Sequence, residues 1–64
     1  MEKRKLSELC YGENFVFSEK DSTDNYENIF EKGIYNNSDH TYQIKNIGTG
    51  KETYYRGNKV VYTR

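Results

Sequence analysis

Apolar residues fall along this chain in short groups separated by polar turns, and the groups follow two different periods. Leu6, Leu9 and Cys10 stand at helical spacing, with Gly12 placed to supply the left-handed residue that ends a helical turn. From there the period becomes that of a strand. In Asn14-Phe-Val-Phe-Ser18 the two phenylalanines, Phe15 and Phe17, share one face. Thr41 to Lys45 alternates, with Tyr42 and Ile44 on one side and Gln43 and Lys45 on the other. Lys51 to Arg56 and Lys59 to Thr63 read as two further strands. The turns between them carry their own chemistry: Asn36-Asn-Ser-Asp39 tolerates positive φ and bonds to its own backbone, Gly48-Thr-Gly50 makes a tight hairpin, and Arg56-Gly-Asn58 a second turn.

Two stretches fit this scheme less simply. Glu19 to Asn25 is polar and acidic without apolar periodicity, a loop long enough for a hairpin to count as a candidate functional loop. In Tyr26 to Lys32, Tyr26, Ile29 and Phe30 have helical spacing, whereas Tyr26, Asn28 and Phe30 could line a strand. Because Gly33 and Ile34-Tyr35 follow at once, the segment is read as a strand with a bulge near Gly33. The prediction is a single all-β domain over residues 1–64: a small barrel of four to five antiparallel strands, one short N-terminal helical turn, a frayed start at residues 1–5 and a loop at 19–25. Phe15, Phe17, Ile44, Tyr55 and Val60 are expected to point into one core.

A chain of 64 residues buries only about 60% of the surface its unfolded form exposes, so its stability is expected to be marginal. One cysteine gives no internal disulfide, and Cys10 with His40 falls short of a zinc ligand set, so neither metal nor cofactor is expected. Self-association into a homo-oligomer is the device that remains. The lone thiol fits a reducing cytoplasm, and neither a signal peptide nor a membrane span is legible. Seven tyrosines and an aromatic fraction of 16% argue against disorder. Asn, Lys and Tyr are abundant and Ala and Pro absent, a bias towards AT-rich codons that bacteriophages and low-GC bacteria share.

The net charge is zero but unevenly placed: from Glu8 to Asp39 there are eight acids against two bases, while residues 40–64 hold five bases against one acid. Segregated charge steers encounter and selects partners, so Glu19, Asp21, Asp24, Glu27 and Glu31 become candidate contacts for a basic protein surface.

The run Leu9-Cys-Tyr-Gly12-Glu-Asn-Phe15, followed by Asn46-Ile-Gly-Thr-Gly50 and the closing Lys59-Val-Val61, resembles small phage and low-GC bacterial SH3-like β-barrel proteins. The resemblance spans most of residues 6–63, and the acidic loop at 18–25 is longer than its pattern. It implies a binding module, such as a phage early protein acting on host machinery, and it carries over no catalytic residues.

Cys10 and His40 are the one nucleophile and base on offer. Cys10 reads as a small core residue and His40, beside Asp39, as a turn residue, so an enzyme is not expected. Glu19-Asp21-Asp24 lacks the ligand spacing of a calcium loop. An alternative nucleic-acid face draws on Lys45, Lys51, Arg56, Lys59 and Arg64 mixed with Tyr54, Tyr55 and Tyr62, because basic side chains meet phosphates and exposed rings stack bases; zero net charge stands against it. The expected function is therefore non-enzymatic binding of a host protein as an inhibitor or regulator. A single-strand nucleic-acid binder and a structural or oligomerisation module are the alternatives.

Overall fold

A computed structural model describes residues 1–21 and 24–63, leaving Ser22 and Thr23 of the predicted loop, and Arg64 of the alternative basic face, outside the described residues. Among the described residues there are six strands, where four to five were expected: β1 (Glu2–Lys5), β2 (Asn14–Phe15), β3 (Phe30–Asn36), β4 (Thr41–Asn46), β5 (Glu52–Arg56) and β6 (Val60–Thr63). Two 3₁₀ turns, η1 (Leu6–Glu8) and η2 (Tyr26–Asn28), precede β2 and β3. β2, β3, β4 and β5 form one antiparallel sheet in that order, and β1 pairs with β6 in a second. Among the described residues a single antiparallel bridge, Val16 to Tyr62, joins the two, each residue donating its N–H to the other's carbonyl at 2.9–3.0 Å. The protein is thus all-β with a short N-terminal helical turn, and its two sheets are not closed on one another.

The start of the chain is ordered, contrary to the expectation of a frayed end. Glu2–Lys5 pairs residue for residue with β6, from Glu2 opposite Thr63 to Lys5 opposite Val60. A run of charged residues makes a serviceable edge strand, because its side chains can stay in water while its backbone completes a ladder.

The segment read as one strand over residues 26–32 divides in two. Asn25 caps η2, its side-chain oxygen accepting from the Glu27 N–H, and the strand begins only at Phe30. The bulge lies where expected: pairing between β3 and β4 slips between Lys32 and Tyr35, around Gly33. A side chain at Gly33 would meet the Gln43 carbonyl oxygen at 2.9 Å, so glycine is what permits the strands to approach there. The turn after β3 also forms, and His40 takes its positive φ of 57°, while the Asn36 carboxamide oxygen accepts from the Ser38 N–H.

Leu6, Leu9, Phe15, Ile44 and Val61 make the core, with Phe17, Phe30 and Tyr42 packed against it. Two expected members are elsewhere. Val60 is 38% exposed, whereas Val61 is fully buried, because β6 lies one residue out of the assumed phase. Tyr55 is exposed as well, although its ring reaches Phe17 at a centroid separation of 5.2 Å. Cys10, expected in the core, is exposed, because the 3₁₀ turn stops at Glu8 and Leu9 is already extended at φ −80°, ψ 152°. Extension turns Leu9 inward and its successor outward, where continued helix would have kept both on one side.

Candidate partner-binding surfaces

The acidic set divides according to its supporting elements. Glu19, Asp24 and Glu27 are exposed and Asp21 is half-buried. Glu31 stands apart from them on β3, directly opposite Lys45 of β4, which in turn stands opposite Glu52 of β5. Directly opposed residues of antiparallel strands share a face, so these three side chains form an acid, base, acid row on the outer side of the sheet. The segregation expected from the sequence is therefore incomplete on this face.

The remaining acids lie in the segment that carries η2, and that turn is held firmly. The Asn46 side-chain N–H donates to the Glu27 carbonyl at 2.7 Å, and the Ile47 N–H to the Ile29 carbonyl at 3.1 Å. Gly48 closes the contact, since a side chain there would lie 2.7 Å from the Glu27 nitrogen and the Tyr26 carbonyl carbon. The result presents Tyr26, 67% exposed, beside Glu27 on a turn fixed to the β4–β5 hairpin. Tyr26 and the closeness of Gly48 to it were not legible in the sequence; a glycine pair in a hairpin signals a turn but not what packs on it.

Burial of a base sharpens the acidic character of this half. Lys32 is only 6% exposed, which leaves Lys20 as the exposed base between Glu8 and Asp39. The Lys32 ammonium donates to the Leu9 carbonyl at 2.5 Å and lies over the Tyr42 ring. Burial pushes its pKa below the usual lysine value; Cys10 and Glu13 nearby oppose that shift and Arg4 adds to it. Glu13 is itself paired with Arg4 at 3.2 Å, so it does not belong to an unbalanced acidic surface.

No family model, curated protein or solved structure matches this chain.

The alternative basic set is likewise divided. Lys45, Tyr54 and Arg56 share the outer face of β4 and β5, since their cross-strand partners Glu52, Gln43 and Thr41 alternate in step with them. Lys51 lies in the hairpin before β5, its N–H donating to the Thr49 hydroxyl. Lys59 belongs to the other side: its ammonium stands 5.4 Å from the Phe17 ring centroid and 5.5 Å from that of Tyr55. Cys10 and His40 are not brought into a pair. The Cys10 N–H donates to the Glu13 carboxylate, and His40 Nδ1 is bonded to the Tyr35 hydroxyl at 3.0 Å.

Beside the Val16–Tyr62 bridge the two sheets part, leaving a groove of about 360 Å³ floored by Phe15, Val16 and Ile29. Of the residues singled out from the sequence for binding, Tyr62 lines it and none of the acidic set does. Among the described residues no group of His, Cys, Asp and Glu is placed to hold a metal ion, and no helix is long and apolar enough to cross a membrane.

Proposed function

We propose that this chain is a non-enzymatic cytoplasmic binding module, encoded by a phage or mobile element, that docks on a basic surface of a host protein and inhibits or regulates it. The observation that carries the reading is η2, an exposed tyrosine and an acid on a turn pinned to the adjacent hairpin. Rigid aromatic anchors supply contact area at little entropic cost, and acids around them select a basic partner. Glu19, Asp21 and Asp24 would extend that contact along the preceding loop, with Glu31 at its margin. The architecture belongs to the same proposal: two sheets bridged at Val16 and Tyr62, with β1 against β6 and a β3–β4–β5 meander, are what supports an SH3-like arrangement.

The test is capture of partners from bacterial lysate, with and without nuclease, by the wild type and by a triple variant with Asp21, Asp24 and Glu27 replaced by Lys. A single protein recovered after nuclease treatment and lost with the triple variant is the expected result. Undiminished capture by the triple variant would remove the acidic segment from the interface.

A second reading has its own observation, the Lys59 ammonium set over the exposed ring of Tyr55. A cation beside an accessible ring is the unit of single-strand nucleic-acid binding. Loss of single-stranded DNA or RNA binding at low salt in Arg56→Glu with Lys59→Glu, while the acidic triple variant binds unchanged, would favour it.

A further inference from the structure

The four-stranded sheet ends at β5, which among the described residues pairs only with β4. The phase of its backbone follows from the hairpin that precedes it. The Asn46 N–H donates to the Lys51 carbonyl at 2.8 Å, so Asn46 and Lys51 face each other. Hydrogen-bonding direction alternates along an antiparallel strand, so Thr53 and Tyr55 turn their N–H and C=O groups towards Ile44 and Tyr42 of β4. Those of Glu52, Tyr54 and Arg56 then point outwards from the sheet. The Arg56 carbonyl is partly occupied, since it accepts from the Lys59 N–H at 3.1 Å.

We propose that this edge pairs antiparallel with the same edge of a second copy, about a two-fold axis through Tyr54. The register is determined twice over. An axis at Tyr54 sets Tyr54 against its counterpart and Glu52 against the other copy's Arg56, the arrangement that aligns every outward-facing backbone group. The same axis sets carboxylate against guanidinium at both ends of the five-residue strand. Shifting the axis to Glu52 or Arg56 would oppose like charges. The bonds formed are Tyr54 N–H to Tyr54 carbonyl in both directions and Arg56 N–H to Glu52 carbonyl in both directions. The exposed rings of Tyr54 and Tyr55 would gain cover along the seam.

The edge at β1 shows what a protected strand looks like in this protein. On β1, Arg4 and Glu2 face Val61 and Thr63, since Tyr62 turns its backbone to Val16, so Lys3 and Lys5 face outwards. Any two-fold pairing of β1 in that phase opposes lysine with lysine, and the Lys5 N–H is already taken by the Glu8 carboxylate at 2.7 Å. Thus the occupant that fits β5 is a second copy of this chain.

A seam this short falls below the area of a standard stable interface, so the dimer belongs to the transient class. It is tested by sedimentation equilibrium of the whole chain up to about 1 mM in low salt, where even millimolar affinity is visible. Concentration-dependent dimerisation that weakens with added salt is expected, with exchange of the Tyr54 amide slowing as concentration rises. Glu52→Arg alone and Arg56→Glu alone should each raise the dissociation constant about tenfold or more by opposing like charges. Mixing these two variants restores complementarity at both ends, so the mixture should form heterodimers at wild-type affinity. Circular dichroism on each variant establishes that it is folded. A wild type that stays monomeric at the highest concentration, single variants that dimerise as the wild type does, or folded variants that fail to associate on mixing would each overturn the proposal.

Discussion

The ammonium of Lys32 sits 4.2 Å from the ring centroid of Tyr42, across the β3–β4 pair from the fully buried Ile44. A cation placed within a small core in this way is satisfied by one carbonyl and one ring face. Its charge is retained at a desolvation cost, and that cost is what lowers its pKa.

The cost has a definite pH dependence. Below the lowered folded value Lys32 is protonated in both states, so the penalty of burying its charge is fully present. As pH rises from the lowered folded value towards the ordinary 10.5, the unfolded chain holds the proton that the folded chain has released. The unfolded state then binds more protons, and stability contributed by this group rises with pH. Urea melts of the wild type and Lys32→Met from neutral to alkaline pH should show the wild type gaining on the variant through that window. At neutral pH Lys32→Met should lie within about 1 kcal/mol of the wild type, because relief of desolvation offsets the orphaned Leu9 carbonyl. Lys32→Ala, which also loses the packing of the stem, should be weaker by about 2 kcal/mol.

Phe15 and Phe17 should not be equal. Phe15 is 2% exposed and touches both Phe17 and Phe30, while Phe17 is half-buried and lies nearer the surface under Lys59. Truncating a buried phenylalanine costs about 3–5 kcal/mol, enough to unfold a small domain. Phe15→Ala should therefore be unfolded by circular dichroism at room temperature, and Phe17→Ala folded with a lowered denaturation midpoint. A folded Phe15→Ala protein as stable as Phe17→Ala would contradict the core described above.

The C-terminal strand separates what the sequence states from what it leaves open. Lys59-Val-Val-Tyr-Thr63 announces a strand plainly, but two adjacent valines fit either phase, and period-2 alternation alone does not say which faces inward. Tertiary pairing decides it: the Val16–Tyr62 bridge and the match of Arg4 to Val61 place Val61 inside. The same kind of long-range decision ordered the charged Glu2–Lys5, which has no apolar alternation to mark it as a strand. The hairpin at Gly48, the bulge at Gly33 and the buried Phe15 and Ile44 were legible because each depends on local chemistry or a clean period. Among the candidate binding residues, the outward placement of Tyr54 was legible from alternation; the burial of Lys32, which was not among them, ran against its residue type and had no local signal. Val61→Ala should accordingly cost about 1.5–3 kcal/mol and Val60→Ala less than about 0.5 kcal/mol by chemical denaturation, with the reverse order restoring the alternative phase.

Gly48 links the stability of the fold to its proposed binding surface. A methyl group at this position would stand 2.7 Å from the Glu27 nitrogen and the Tyr26 carbonyl carbon and 2.9 Å from the Tyr26 carbonyl oxygen. These are backbone atoms, which cannot rotate aside as a side chain would, so η2 must lift from the hairpin. Overpacking of this kind costs about 1–3 kcal/mol. Gly50 provides the control, because it has open space around it and only its φ of 77° resists a side chain, a strain of about 1–2 kcal/mol. Stability alone will not separate the two variants, but amide exchange will. The Ile47 N–H donates to the Ile29 carbonyl just after η2, so it should exchange faster in Gly48→Ala and stay protected in Gly50→Ala. If η2 is the docking element, Gly48→Ala should also weaken capture of the protein partner although no charge has changed, whereas Gly50→Ala should capture it normally. A Gly48→Ala protein that keeps both its Ile47 protection and its stability would mean that η2 is not pinned by this glycine, and the rigid presentation of Tyr26 and Glu27 would lose its basis.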